Sequence, residues 1–151
     1  MRKREPMEYA LYLLSRRPRT VRELEIALKK RGVEQREIEE IIEKLKDWRY
    51  LDDKSYAEEY VKFKMKKLYG PSYIRSELIK KGVKREIVDE ALEEFFDINA
   101  ILPVAVERAR KMLGDSPDDK TRKKVWNYFA RRGLPATEIL NLALKEGGGQ
   151  L

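Results

Sequence analysis

Two pairs of adjacent aspartates, Asp52-Asp53 and Asp118-Asp119, are the nearest this chain comes to catalytic groups. Paired carboxylates can hold magnesium or activate water. Helix capping accounts for each pair more simply, because each stands just before an apolar-periodic segment and a carboxylate readily accepts the first free amides of a helix. The chain has no histidine and no cysteine among its 151 residues. The commonest general base, the thiol nucleophile and the usual zinc ligands are therefore all missing. There is also no phosphate-binding P-loop, dinucleotide fingerprint or Gly-x-Ser-x-Gly elbow. The sequence predicts no catalytic residue, no metal and no cofactor.

The remaining chemistry is electrostatic. The formal charge is +7, from 34 Lys and Arg against 27 Asp and Glu. Between Lys54 and Arg85 there are ten positive and three negative residues, so this window carries the whole excess. A focused basic surface favours a polyanion. The candidate phosphate contacts are Lys62, Lys64, Lys66, Lys67, Arg75, Lys80, Lys81, Lys84 and Arg85. An ordinary solvated helix face explains the first four alone equally well; it is their company in one stretch that favours binding. Tyr69 and Tyr73 could stack on bases, although a three-helix core would bury at least one of them. Tyr69-Gly70-Pro71-Ser72 could turn helix N-terminal amides toward phosphate, but Pro71 lacks one such amide and a plain structural turn fits the same residues.

These groups must be carried by helices. Gly32, Gly82 and Gly133 lie 50 and 51 residues apart, each following two basic residues, with large apolar residues four and eight positions earlier. Those residues are Leu28 and Leu24, Leu78 and Ile74, and Phe129 and Val125. Positions four and eight back share a helix face, basic residues suit a helix C-terminus, and glycine suits the left-handed position beyond it. A period near fifty implies one helical unit repeated in tandem. Thr20 and Glu23 form a capping box at the start of the first such helix. Pro103 marks a first turn or a kink, and Trp48 and Trp126 fall where core residues are expected. The predicted fold is all-α, three tandem three-helix modules in an elongated, curved array of nine helices. Its divisions are 1–50, a central basic module 51–97, a third module 98–146, and a flexible tail 147–151. With no cysteine and no apolar run of membrane-spanning length, the sequence predicts a cytoplasmic monomer without membrane contact.

Tyr50-Leu51-Asp52-Asp53, Tyr56-Ala57, Tyr60-Val61, Tyr69-Gly70-Pro71, Ile74, Glu77-Leu78 and Lys81-Gly82 resemble the central signature of the RecX family of recombination regulators. The flanking basic-glycine passages resemble that family's outer repeats, so the resemblance covers nearly the whole chain; the third repeat is its weakest part. It implies tandem three-helix modules, no catalytic activity, binding to RecA nucleoprotein filaments, and contact with single- and double-stranded DNA. It further implies modulation, usually inhibition, of strand exchange, ATP hydrolysis and co-protease function. Two other readings use the same basic face. One is a sequence-nonspecific nucleic-acid-binding helical repeat acting without RecA, and the other is a helical scaffold for an acidic protein.

Overall fold

The computed structural model describes residues 4–148, with side chains described as far as Lys145. The described residues form nine α-helices and no strand. They are α1 (Pro6–Arg16), α2 (Val21–Lys30), α3 (Gln35–Asp47), α4 (Asp53–Lys66), α5 (Pro71–Lys80), α6 (Arg85–Phe95), α7 (Ile98–Leu113), α8 (Asp119–Arg131) and α9 (Ala136–Gly148). The expected tail lies outside the described residues, except that α9 includes Gly147 and Gly148.

The three repeat glycines end their helices in one geometry. Gly32, Gly82 and Gly133 take φ of 86°, 87° and 75°. In each case the next amide reaches back to the carbonyl five residues earlier: Val33 to Leu28, Val83 to Leu78 and Leu134 to Phe129, all at 3.1 Å. This closes helix carbonyls that would otherwise lack donors. α3 and α4 end in the same way without glycine. Arg49 and Leu68 hold φ of 61° and 65°, and Tyr50 and Tyr69 donate to Leu45 and Lys64 at 2.8 and 3.0 Å.

The chain packs as two compact units. The first holds the residues up to Glu59 together with Ser76–Ala91, and the second holds Tyr60–Arg75 together with the residues from Leu92 onward. The boundaries fall inside α4, α5 and α6, so the central helices contribute to both units.

In the first unit, Ala10, Leu24, Leu28, Ile38, Ile41, Ile42, Leu45 and Leu51 form the core. All but Leu51, which lies between α3 and α4, occupy single stripes of α1, α2 and α3, as the three-to-four-residue spacing requires. Thr20 is fully buried. Its hydroxyl accepts from Glu23 N at 3.1 Å and donates to the Lys81 carbonyl at 2.7 Å. The Glu23 carboxylate accepts from Thr20 N at 3.0 Å, completing the capping box.

In the second unit the core is built on Leu68, Ile101, Ala105, Ala109, Leu113, Val125, Phe129, Leu134, Ile139 and Ala143. Asp97 caps α7 through Asn99 N at 3.0 Å. Pro103 is the sixth residue of α7, beyond the first turn, and the helix continues past it to Leu113. Asp118 caps α8, as its place before an apolar-periodic segment predicted, accepting from Thr121 N at 2.8 Å.

Candidate nucleic-acid interface

The predicted basic residues divide between the two units. Lys62, Lys64, Lys66, Lys67 and Arg75 belong to the second, and Lys80, Lys81, Lys84 and Arg85 to the first. The second unit carries 15 Lys and Arg against 9 Asp and Glu, a net +6, whereas the first carries 19 against 18. Residues 60–75 contain five cations and no carboxylate.

Within that stretch the cations differ in availability. Lys66 and Lys67 are exposed at the end of α4, and the Lys67 ammonium stands 5.0 Å from the ring centre of Phe63, itself 54% exposed. Lys62 and Lys64 are half-buried. Lys62 lies 4.5 Å over Phe95, and Lys64 lies 4.8, 5.6 and 5.9 Å from the rings of Tyr69, Tyr60 and Tyr73. Part of each charge is thus spent on an aromatic face inside the protein. Tyr69 and Tyr73 stack on each other, 4.4 Å apart and 25° from parallel. The Arg132 guanidinium sits 4.3 Å over Tyr69 and 4.2 Å over Tyr128, whose hydroxyl accepts from Arg108 at 2.9 Å. This half-buried assembly of rings and cations leaves Tyr69 with one face on Tyr73 and a cation over its ring. Arg75 is half-buried beside it in sequence.

Gly70 has a role its place in a turn did not reveal. Its φ is not positive; it is glycine because backbone passes against backbone. Gly70 N donates to the Arg132 carbonyl at 2.6 Å, and a Cβ would collide with the Gly133 carbonyl. The amide at the start of the Tyr69-Gly70-Pro71-Ser72 turn is thereby used within the fold, and Pro71 opens α5 without one.

In the first unit, Lys80, Lys84 and Arg85 are exposed around the α5–α6 turn. Lys81 is 29% exposed and lies 3.8 Å from the Glu23 carboxylate, which also meets Arg17 at 3.6 Å. Lys81 therefore belongs to the fixing of the α2 N-terminus as much as to any surface. A cleft of about 620 Å³ nearby is lined by Arg22, Lys46, Arg49, Lys54 and Lys84, but also by Glu25, Asp52 and Asp53, so its charge is mixed.

Three of the four paired aspartates accept hydrogen bonds from backbone amides, while Asp119 is exposed in the first turn of α8, 3.9 Å from Arg122. Asp52 caps α4, accepting from Lys54 N at 3.0 Å and Ser55 N at 3.2 Å. Asp53 instead accepts from Val21 N at 2.9 Å, so it serves the first turn of α2 and not its own helix. Burial pushes the Asp53 carboxyl above the usual carboxylate range, against the lowering effects of the Val21 amide and Lys46. Asp118 is held below that range chiefly by its hydrogen bonds with Thr121.

Both tryptophans depart from the expected core positions: Trp48 is 53% exposed and Trp126 41%. Helical spacing identifies a face, but α3 ends at Asp47, which leaves Trp48 past the packed stripe and edge-on to exposed Tyr50, 6.4 Å away. Trp126 lies one residue beyond buried Val125, turned toward the surface.

Comparison with known proteins places this arrangement. The sequence model for the RecX first three-helix domain matches residues 7–45, and that for the second three-helix domain matches residues 52–92. This chain belongs to the RecX family. A relative named regulatory protein RecX from Listeria welshimeri is 37% identical over 98% of this chain and 56% of its own length. One of the same name from Geobacillus kaustophilus is 31% identical over 93% and 53%. The chain thus spans little more than half the length of these curated relatives. The crystal structure of RecX from Lactobacillus salivarius superposes with a TM-score of 0.77 at 28% identity, covering 95% of this chain and 94% of that one. A second crystal structure, of regulatory protein RecX, gives 0.75 at 26% identity, covering 90% and 71%. The Tyr50-Leu51-Asp52-Asp53 motif straddles the start of the second matched domain at residue 52; Leu51 is core, Asp52 a cap and Asp53 a brace to α2.

Proposed function

We propose that this RecX-family chain is a non-catalytic regulator of homologous recombination that binds RecA–DNA filaments and restrains RecA activity, in the cytoplasm. The observation that carries this reading is the placement of nearly all the excess charge on the second unit, with exposed Lys66 and Lys67 at its basic helix end. Lys80, Lys84 and Arg85 supply a second exposed basic group on the first unit. Such groups release counterions from a phosphate backbone without reading its sequence. Asp52, Asp53 and Asp118, each bound to amides at a helix start, support a binding role over a hydrolytic one.

The same charges support a DNA-binding protein that needs no RecA. The readings separate in a single-stranded-DNA-dependent RecA ATPase assay with rising amounts of this protein. On the proposed function, RecA turnover falls at protein concentrations that leave naked DNA largely unbound. Turnover that falls only once the naked strand is saturated contradicts it, since DNA masking alone then suffices.

A further inference from the structure

Trp126 sits within α8, one residue after buried Val125, yet the fold leaves it at the surface. Its indole N–H donates to the Thr137 hydroxyl at 3.0 Å, which fixes the ring against the start of α9 while 41% of the residue stays exposed. Beside it runs an open groove of about 770 Å³ between α8 and α9, lined by Ala130, Leu134, Asn141, Leu142 and Lys145, with Glu138 also on its wall.

The helix that presents this ring is basic. Arg122 and Lys123 precede Trp126 by four and three residues and so share its face. The indole itself reaches toward the C-terminal end of α8, where it meets Thr137 and lines the groove with Ala130 and Lys145, so Arg122 and Lys123 stand one turn behind the ring on the same face. Arg122 is exposed, 3.9 Å from exposed Asp119, and Lys120 and Lys124 are exposed on the same helix. All of this lies on the unit that carries net +6.

We propose that Trp126 is a stacking platform for an unpaired base, making the α8 face and its groove a contact for single-stranded DNA. A strand needs a flat apolar partner for a base and cations one step away for its phosphates, and this face supplies both. Duplex DNA offers base edges and not faces to a side chain in its grooves. An acidic peptide would satisfy the cations and leave the fixed ring without a flat partner. The inference rests on the DNA contact proposed above and adds a site outside the central basic stretch.

The test uses the whole chain carrying Trp48→Phe, so that Trp126 is the sole indole. Its emission is followed while oligo(dT) is added, and anisotropy of the same labelled strand measures occupancy. An abasic oligonucleotide of equal length supplies phosphate without bases. Quenching that tracks occupancy by oligo(dT), and is absent at equal occupancy by the abasic strand, is the expected result. Trp126→Ala should then weaken oligo(dT) binding about tenfold, the size of one lost base–aromatic stack, with Trp126→Phe recovering part of it. The salt dependence should keep its slope, since no charge is removed. Bound oligo(dT) without quenching, or equal quenching by the abasic strand, overturns the stacking site and leaves DNA binding intact. Quenching by oligoglutamate in place of oligo(dT) overturns it in favour of a protein partner. No binding of either strand at low salt would overturn both this inference and the DNA contact on which it rests.

Discussion

Replacing buried Gly70 with alanine should be far more damaging than its place in a turn suggests. The added methyl would be driven into the Gly133 carbonyl, with the Arg132 carbonyl 3.2 Å away. Both obstacles are backbone, so no side chain can swing aside. Separation of the two segments would also lengthen or break the 2.6 Å bond from Gly70 N to Arg132 O. Loss of that bond costs about 1 kcal/mol, and forced repacking at a close contact adds about 1–3 kcal/mol. The expected total is about 2–4 kcal/mol, or a fall in Tm of roughly 5–15 °C for a chain of this size. Gly32 is the internal control, because its φ of 86° penalises alanine but nothing lies within 4 Å of the new methyl. Gly32→Ala should cost only the left-handed backbone penalty of about 1 kcal/mol. Chemical denaturation of both variants, followed by far-ultraviolet circular dichroism, gives the comparison. Equal losses at the two positions would refute the close-approach argument and reduce Gly70 to an ordinary turn residue.

Thr20→Ala removes a fully buried cap and leaves the Lys81 carbonyl without its hydroxyl donor, so we expect a loss of about 2 kcal/mol in the same assay, with Thr20→Ser restoring most of it. Asp53 has its pKa raised on folding, so its favourable contribution is present at low pH and is lost as pH rises through the folded value; Asp53→Asn should flatten the pH dependence of Tm from about pH 4 upward. A steeper dependence in the variant would mean that the charged carboxylate is the favoured folded form. Lys66→Glu with Lys67→Glu should leave Tm nearly unchanged and reduce the log–log salt slope for single-stranded DNA by about 1.4, two contacts at about 0.7 each; an unchanged slope would remove both from the interface. Lys81→Glu should instead lower Tm, because it sets a second carboxylate against Glu23, and a stable variant would show that this ion pair does not brace α2.

The helical architecture was legible because its signals are local. The spacing of Leu24, Leu28 and Gly32 states a stripe and a stop, and the same words recur at Ile74, Leu78 and Gly82 and at Val125, Phe129 and Gly133. The capping box at Thr20 is equally local. What the sequence hid depends on partners far along the chain. Gly70 reads as turn glycine until Gly133 is brought against it. Asp53 reads as a cap for α4 until Val21 is seen to be its donor. Lys64 reads as a free cation until Tyr60, Tyr69 and Tyr73 surround it. Periodicity also places a residue on a face without fixing which edge of that face is covered, and so Trp126 was sent inward. A lone large aromatic between Lys123, Lys124 and Asn127 was the available signal for exposure.

The central claim is recognition of the RecA-coated strand, and its most direct test is a pair of titrations at one salt concentration. Labelled oligo(dT) in the presence of a nonhydrolysable nucleotide is titrated with this protein, naked in one series and coated with RecA in the other, so that RecA is the sole difference. Binding to the coated strand should be tighter, and Lys66→Glu with Lys67→Glu should weaken it. Equal or weaker binding to the coated strand would contradict it.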